Sequence, residues 1–333
     1  MKTSTDPKSQ LYPMIVREYV IKAVREFFDT QKFHEIQVPV LNRSLPLEPN
    51  LYSFKTVWNN VGSSKLLYLS TSPESALKKM VSKGIGNCYA IGNSFRNLED
   101  SGKKHNPEFL MLEWYRINAD YMDIINDCIS LFDYIINFFQ KNKVAYKYTC
   151  SDGDWEMYSM EDLFKKHVGR GWLSLLNKKD IYEFCDKKGF DVEGATWEQL
   201  FNQLFLNYIE DKISEHPYPI IINNFPSKIS PLCKESDSNS DIAERFEIYV
   251  KGMELGNGNS EQMDADLIER KFKEERQYRM KKDFDIHPYD KEFIEAIKNC
   301  PYSNVAGVGL GIDRLAMLFT GVHDIRKVNP FVI

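Results

Sequence analysis

The clearest pattern of hydrophobic and polar positions lies in residues 92–115. Two apolar stretches flank a charged loop in which Gly102 and Pro107 act as breakers, so the pattern predicts strand, loop and strand. Side chains alternate along the second strand, which places Glu113 on an otherwise apolar face beside Tyr115. Because an unpaired buried charge is very costly, Glu113 needs a partner there, and a bound ammonium would serve. Taken alone, the pattern is also typical of a surface hairpin with ordinary salt bridges.

The spacing of apolar residues elsewhere predicts further helices and strands. In the helix that follows Thr71, Ser72 is expected at the N-cap and Pro73 at the first helical position. The predicted helices are 11–30, 73–83, 121–142, 262–282 and 291–298, and the predicted strands are 33–41, 66–70, 218–226, 245–250 and 253–255, with a further strand that runs into a helix within 306–318.

Residues 144–216 carry no recognisable motif, only short helical patterns, and we interpret them as an insertion within a catalytic domain. The isolated His167 and His216 favour structural or solvent-facing roles over metal binding. The polar stretch 234–241 predicts a mobile loop, which would suit a flap near an active site.

Composition narrows the class of protein. The chain has 333 residues, 43% hydrophobic and 13% aromatic, as in a soluble globular protein with one large domain or two small ones. Its net charge of −5 gives no global attraction for nucleic acid, so any RNA contact would be local. Six cysteines without CxxC spacing indicate reduced cytosolic thiols and no zinc site. With no visible signal peptide or membrane span, we expect a cytoplasmic protein.

Two acidic residues mark the predicted hairpin 245–255. Across a two-residue loop Tyr249 should lie opposite Glu254, which puts Glu247 and Glu254 on one face. Two carboxylates repel each other unless something positive lies between them, and Mg²⁺ bound to ATP phosphates is a natural candidate. The alternative is a pair of solvated acids.

A glycine-rich strand runs into a helix at residues 306–318. The glycines would let a flat ligand lie on the strand, and Arg314 would sit near the positive end of the helix. The spacing is not GxGxxG before a βαβ unit and lacks the Lys-Ser/Thr of a P-loop, which excludes both of those nucleotide-binding motifs.

Together these segments resemble the three motifs of class II aminoacyl-tRNA synthetases. The strings Phe-Arg-Asn at 95–97, His-Asn-Pro-Glu-Phe at 105–109 and Met-Leu-Glu-Trp-Tyr at 111–115 resemble motif 2 of the lysine enzymes. Residues 11–41 resemble motif 1, which builds the dimer interface, although a plain edge strand is equally compatible with the end of that segment. Residues 306–318 resemble motif 3. The resemblance implies an α+β fold in which helices flank an antiparallel sheet, with residues 1–333 as one catalytic domain.

The resemblance also implies roles for individual residues. Arg96 and Arg314 would be catalytic, and Glu247 and Glu254 would hold the metal. The implied ATP-binding residues are Arg96, Glu99, His105, Phe109, Glu247, Glu254, Gly311 and Arg314. The implied amino-acid-binding residues are Ser72, Glu74, Glu113, Tyr115, Asn257, Asn259, Glu261 and Gly309; among them Glu74 would meet the α-amino group, and Glu113 and Tyr115 the side-chain ammonium.

Within the class, the chain is most similar to the stand-alone lysyltransferases of elongation factor P. The resemblance rests on the string His-Asn-Pro-Glu-Phe-x-Met-Leu-Glu-Trp-Tyr-Arg at 105–116 and on a layout in which we expect no anticodon domain before the motif 1 helix. This implies a homodimeric ligase that uses ATP and Mg²⁺ to activate lysine or a related amino acid and transfers it to an elongation factor P-like protein. A minimal lysyl-tRNA ligase, an amide-forming relative of the aspartate/asparagine subclass, and a non-catalytic regulatory paralogue are the alternatives.

The chain departs from the lysyltransferase pattern at four places. The loop from Arg96 to His105 is one residue longer than usual, Gly309 stands where those enzymes carry Ala, and Asn259 stands where a Phe covers the substrate methylenes. The ending, residues 324–331, is more similar to that of the tRNA enzymes.

Overall fold

The computed structural model describes residues 6–98, 102–148, 154–282, 284, 286–329 and 331. The chain divides into two compact units, which we treat separately. The first unit comprises Met1–Thr149 with Ser260–Ile333, and the second comprises Cys150–Asn259.

The strands, in chain order, are β1 (His34–Glu35), β2 (Leu41–Asn42), β3 (Lys55–Asn60), β4 (Ser63–Leu69), β5 (Cys88–Phe95), β6 (Glu108–Ile117), β7 (Glu156–Ser159), β8 (Ile220–Pro226), β9 (Glu235–Ser236), β10 (Asn239–Val250), β11 (Met253–Ser260) and β12 (Val305–Gly311). The α-helices are α1 (Tyr12–Thr30), α2 (Glu74–Ser82), α3 (Tyr121–Lys141), α4 (Met160–Leu163), α5 (Lys178–Lys187), α6 (Trp197–Phe205), α7 (Asp211–Ser214), α8 (Ala265–Lys281), α9 (Lys291–Lys298) and α10 (Ile312–Thr320).

In the first unit, β5, β6 and β12 form an antiparallel sheet with the short β1 parallel to β5. The register of β5 with β6 pairs Phe95 with Glu108 and Ala90 with Glu113, which confirms the predicted strand, loop and strand. The strands β2, β4 and β3 form a separate three-stranded sheet with β4 in the middle. The helices and this mostly antiparallel sheet confirm the predicted α+β class.

The predicted strand 33–41 is wrong in its extent. Only His34–Glu35 pairs with β5, and Leu41–Asn42 pairs with β4 in the other sheet. The segment between them passes from one sheet to the other, and its Pro39 has no amide hydrogen to donate to a ladder.

Helix α1 confirms the predicted amphipathic helix, since it buries one stripe of apolar side chains while Leu11, just before it, is exposed. Arg17 of α1 forms an ion pair of 2.5 Å with the buried Asp313 of α10. Asp313 also accepts a hydrogen bond of 2.9 Å from the Leu110 amide of β6. These contacts fix α10, and with it Arg314, against the sheet.

The start of α2 differs by one position from the prediction. The helix begins at Glu74, so Pro73 occupies the N-cap rather than the first helical position. The Ser72 hydroxyl still accepts a hydrogen bond of 3.2 Å from the Glu74 amide, which is how it supports the first turn.

In the second unit, β11, β10, β8 and β7 follow one another in a sheet, with β9 paired to β10 and β7 parallel to β8. Helices α4–α7 bury a core that includes Trp172, Phe164 and Phe201. The predicted loop 234–241 is wrong, because β9 and the start of β10 form a hairpin there. Backbone pairing at the edge of a sheet does not require apolar residues at alternate positions, so the polar sequence gave no sign of this hairpin.

The described helices include none that is long and apolar enough to cross a membrane. The five cysteines in the described ranges are free thiols, four of them buried.

Candidate active site

Glu113 lies in the interior of the first unit. Its Oε1 accepts a hydrogen bond of 2.5 Å from the Tyr115 hydroxyl, whereas its buried Oε2 has no partner among the described residues. The residue is 5% exposed. Burial, with the nearby Glu74 carboxylate as a second cause, raises the pKa of Glu113 to about 8. A cation that met Oε2 would satisfy this oxygen and favour the ionised form.

The glycines of β12 make room for this pair. Gly307 lies opposite Tyr115 in the sheet, and a Cβ on Gly307 would stand 2.4 Å from the tyrosine ring. Gly309 lies opposite Glu113, where the atoms nearest to a Cβ would belong to the flexible Met111 side chain, its sulfur at 3.3 Å. Gly307 thus positions Tyr115. We missed this role from the sequence, where the strand register would have been the signal.

A buried lysine joins two of the predicted amino-acid-binding carboxylates. Lys78 Nζ lies 2.5 Å from Glu74 Oε1 and 2.5 Å from Glu261 Oε2. The Glu261 amide donates a hydrogen bond of 2.8 Å to the Val305 carbonyl, which anchors Glu261 beside β12. Our sequence reasoning missed Lys78. The spacing of four from Glu74 on a helix was a signal for that ion pair, but nothing local connects it to Glu261.

A fourth carboxylate, that of Glu48, comes from the segment between β2 and β3. Burial, and then the Glu74 carboxylate, raise the pKa of Glu48 to about 8. The fully buried Arg279 of α8 holds this segment by donating hydrogen bonds to the Glu48 and Leu51 carbonyls, at 2.5 and 3.0 Å. Sequence reasoning missed Glu48, because only the tertiary fold brings it to Glu74.

Arg96 follows directly after β5. Its guanidinium carbon lies 5.3 Å from the centroid of the Phe109 ring, and its Nε donates a hydrogen bond of 3.3 Å to the Thr71 carbonyl. The stacking and this hydrogen bond hold the planar group in one orientation, which suits bidentate binding of phosphate or carboxylate oxygens. The predicted ATP-binding Glu99 lies outside the described residues.

Arg314 is the third residue of α10, where the helix dipole is positive. Its Nη2 lies 3.4 Å from His105 Nδ1, and its Nε donates a hydrogen bond of 3.4 Å to the Lys104 carbonyl. A Cβ on Gly311 would stand 3.5 Å from the Arg314 side chain, which is ordinary contact. The structure therefore brings the predicted ATP-binding residues His105, Gly311 and Arg314 together.

The second unit contains the predicted metal-binding acids on the hairpin of β10 and β11. Lys251 and Gly252, both with positive φ, form its two-residue turn, and Tyr249 lies opposite Glu254 as predicted. Two further predicted substrate residues, Asn257 and Asn259, lie opposite Glu247 and Arg245 respectively.

Glu247 is buried and held at both oxygens, which excludes the alternative of a solvated acid for this residue. Its Oε1 accepts a hydrogen bond from Arg245 and its Oε2 one from Tyr249, each of 2.7 Å. Glu254 also interacts electrostatically with Arg245. Arg245 therefore supplies positive charge beside Glu247, for which the sequence had suggested Mg²⁺.

Within the described ranges, no group of three or more His, Cys, Asp or Glu side chains forms a metal-binding cluster. The carboxylates of Glu247 and Glu254 nevertheless fit a metal whose other ligands are phosphates. Each Glu247 oxygen has a second lone pair besides the one used by Arg245 or Tyr249. Mg²⁺ commonly takes one or two carboxylates in addition to substrate phosphates.

Comparison with known families identifies the class of protein that this fold and site define. The model of the tRNA synthetases class II (D, K and N) matches residues 5–333, so the chain belongs to this family. The chain is accordingly a ligase, as the resemblance of its three motifs implied.

The chain is also similar, over nearly its full length, to proteins named elongation factor P–(R)-β-lysine ligase. The one from Histophilus somni is 34% identical, covering 98% of this chain and 97% of the relative. The one from Avibacterium paragallinarum is 32% identical, with the same shares. The one from Pectobacterium carotovorum is 31% identical, covering 99% of this chain and 98% of the relative. These relatives confirm the subclass to which the sequence was most similar.

Proposed function

We propose that this protein activates lysine or a closely related amino acid with ATP, as the aminoacyl adenylate, and transfers it to a lysine side chain of elongation factor P. Membership of the class II family and the names of the relatives support the reaction and the acceptor. We further propose that the enzyme works in the cytoplasm as a homodimer.

The observation that carries the choice of amino acid is the state of Glu113. A buried carboxylate with one unpartnered oxygen, next to a tyrosine hydroxyl, is suited to an ammonium group and unsuited to an apolar side chain. Lysine places an ammonium at the end of its side chain, where Glu113 and Tyr115 would bind it. Its amino group at the other end would face Glu74.

The proposed chemistry has two steps. A carboxylate oxygen of the amino acid attacks the α-phosphorus of ATP in line, the bond to the bridging oxygen breaks, and pyrophosphate leaves. The ε-amine of the acceptor lysine then attacks the adenylate carbonyl, loses a proton and displaces AMP. In the first step Arg96 would bind the α-phosphate and the carboxylate, and Arg314 the γ-phosphate region, so catalysis rests on positioning and charge stabilisation.

We propose that Glu247 and Glu254 hold Mg²⁺ on the ATP phosphates. The ion would neutralise part of the phosphate charge. His105, Phe109, Gly311 and, by resemblance, Glu99 complete the ATP set, and Ser72, Asn257, Asn259, Glu261 and Gly309 complete the amino-acid set.

Transfer of the lysyl group to tRNA is the second candidate, favoured by the chain ending similar to the tRNA enzymes. A third is an amide-forming reaction like that of the aspartate/asparagine subclass. A non-catalytic role is disfavoured, because a protein that only binds does not require both arginines and both acids at the ATP positions.

The test is exchange of radiolabelled pyrophosphate into ATP, measured with and without lysine. We expect exchange that depends on lysine, and we expect Arg96→Ala to reduce it about 10²-fold or more, the scale of losing one charge-stabilising donor. Arg170→Ala is the control, because Arg170 is exposed and, among the described residues, donates its hydrogen bonds to Ser174. Exchange that proceeds equally without an amino acid, or that survives Arg96→Ala, would contradict the adenylate mechanism.

A further inference from the structure

Lys78 is an internal cation among the carboxylates proposed to bind the amino acid. Its ion pairs with Glu74 and Glu261 are each 2.5 Å long, and Lys78 is 5% exposed. Aromatic rings flank the ammonium: the Tyr115 ring centroid lies 5.6 Å from Nζ and the Phe293 centroid 5.7 Å. The ammonium is thus held by two acids and two rings in the interior of the first unit.

The charges around Lys78 do not balance without it. The carboxylates of Glu74 and Glu261 are the strongest partners of its ammonium, and Lys78 also acts electrostatically on Glu48 and Glu113. A substrate ammonium could neutralise part of this group when bound, but the empty site would hold several buried carboxylates with little counter-charge. Buried carboxylates in that situation take up protons and no longer attract an ammonium.

We infer that Lys78 is a positioning residue for amino-acid binding, a built-in counter-ion that keeps Glu74 and Glu261 ionised and fixed before the substrate arrives. This inference rests on the proposed function, in which those two carboxylates bind the amino acid. Lys78 itself does not touch the reacting atoms. Its effect should therefore fall on binding of the amino acid and leave ATP binding largely unchanged.

The test compares Lys78→Met with the wild type and with Lys22→Met. The control removes a Lys–Glu pair of the same helical spacing and the same 2.5 Å length, Glu18–Lys22, which is exposed. In the exchange assay we expect Lys78→Met to raise the KM for lysine about tenfold or more and to leave the KM for ATP within about twofold. The increase in the KM for lysine should be larger near pH 6.5 than near pH 9, because the carboxylates that face position 78 regain their charge at the higher pH. The groups that face this position are the carboxylates of Glu48, Glu74, Glu113 and Glu261 and the hydroxyl of Tyr115.

A second readout needs no substrate. Without Lys78, the carboxylates that it faces lose their counter-charge and resist ionisation in the folded state, so the loss of stability should grow as the pH rises from 5 to 8. We expect Lys78→Met to lower the melting temperature by about 5–10 °C at pH 8, less at pH 5, and Lys22→Met to lower it little at either pH. The melting temperatures test the counter-ion role of Lys78 separately from the proposed function. If the wild type fails to bind lysine, the proposed function is overturned, but the counter-ion role is not.

The double variant Lys78→Met/Glu261→Gln removes one positive and one negative charge. If Lys78 acts as a counter-ion, the double variant should melt at a higher temperature than Lys78→Met at pH 8, while its KM for lysine stays raised. Three results would each overturn the inference and indicate a purely structural lysine. They are an equal increase in the KM for lysine and for ATP, a loss of stability that does not depend on pH, and failure of both Lys78→Met and the double variant to fold.

Discussion

At the scale of single residues, the site is defined by carboxylates placed where their charge is unfavourable. Glu113 lies on a core face with one oxygen unpartnered, and Glu74 lies close to a second acid, the partly buried Glu48. A protein interior disfavours such groups unless a partner is present. Lys78 is one partner, and the proposed substrate ammonium is the other.

The raised pKa of Glu113 predicts how amino-acid binding depends on pH. Burial favours the neutral carboxyl up to about pH 8, whereas an ammonium requires the ionised form, so binding must displace a proton. We therefore expect the KM for lysine to fall as the pH rises from 6.5 to 8 and to level off above 8. Glu113→Gln should raise the KM about tenfold or more and remove much of this pH dependence.

Exchange kinetics between pH 6.5 and 9 measure the effect. Glu108→Gln is the matched control, because Glu108 is on the same strand but binds the exposed Asn93 amide. A KM for lysine that is independent of pH in the wild type, or equal in Glu113→Gln and Glu108→Gln, would show that Glu113 does not bind the ammonium.

At the scale of elements, the pairing of β12 with β6 shapes the pocket. Gly307 and Gly309, at alternate positions of β12, lie opposite Tyr115 and Glu113. At these two positions β12 therefore has no side chain on the face that Tyr115 and Glu113 share. The absence of a Cβ at Gly307 is a steric requirement, because the Tyr115 ring occupies that space. At Gly309 the space is shared with Met111, whose side chain can move.

This difference predicts that one of two similar substitutions is the more damaging. Gly307→Ala should displace the Tyr115 ring, lower the free energy of unfolding by about 1–3 kcal/mol and raise the KM for lysine. Gly309→Ala should cost less than about 1.5 kcal/mol, because the atoms nearest to the methyl belong to the Met111 side chain, which can move. Denaturant unfolding and exchange kinetics test both. A stable Gly307→Ala protein with an unchanged KM for lysine would contradict the proposed role of Gly307.

Gly309→Ala also tests isomer preference. The relatives are named as β-lysine ligases, whereas the resemblance implies that Gly309 replaces an Ala of the lysyltransferases. We expect the wild type to use α-lysine at least as well as β-lysine, and the added methyl to shift the ratio by roughly 5- to 150-fold, the equivalent of about 1–3 kcal/mol. The companion variant Asn259→Phe should strengthen binding of either isomer, at about 0.8 kcal/mol per covered CH₂. A wild type that strongly prefers β-lysine would show that this account of the pocket is wrong.

At the scale of the whole molecule, charge and similarity both bear on the acceptor. The net charge of −5 does not favour a polyanion such as tRNA. The relatives named as elongation factor P ligases are matched over 97–98% of their own length, so the similarity is not confined to a shared ATP-binding core.

We therefore expect elongation factor P to be the acceptor. Enzyme, ATP and radiolabelled lysine would be incubated in parallel with elongation factor P, with a variant of that protein whose acceptor lysine is replaced by arginine, and with total tRNA. Label should appear on wild-type elongation factor P and not on its arginine variant or on tRNA. Efficient labelling of tRNA together with unlabelled protein would reverse the order of the two candidates.

The sequence by itself determined the elements whose patterns are local. The helix 12–30, the strands around the 96–107 loop, the hairpin of Glu247 and Glu254, and the glycine-rich strand before Arg314 all follow from periodicity, turn residues and spacing. It also determined that Glu113 would lie on an apolar face, because alternation along a strand is a property of the backbone.

Only the tertiary structure decided the contacts between distant segments. Lys78 meets Glu261, Gly307 meets the Tyr115 ring, and Arg279 holds the Glu48 segment, each across many residues of sequence. The sequence pattern also failed to predict polar edge strands such as β9, because their pairing uses backbone groups common to every residue. Side-chain patterns report which face is buried, whereas the register and packing that bring two faces together depend on the whole chain.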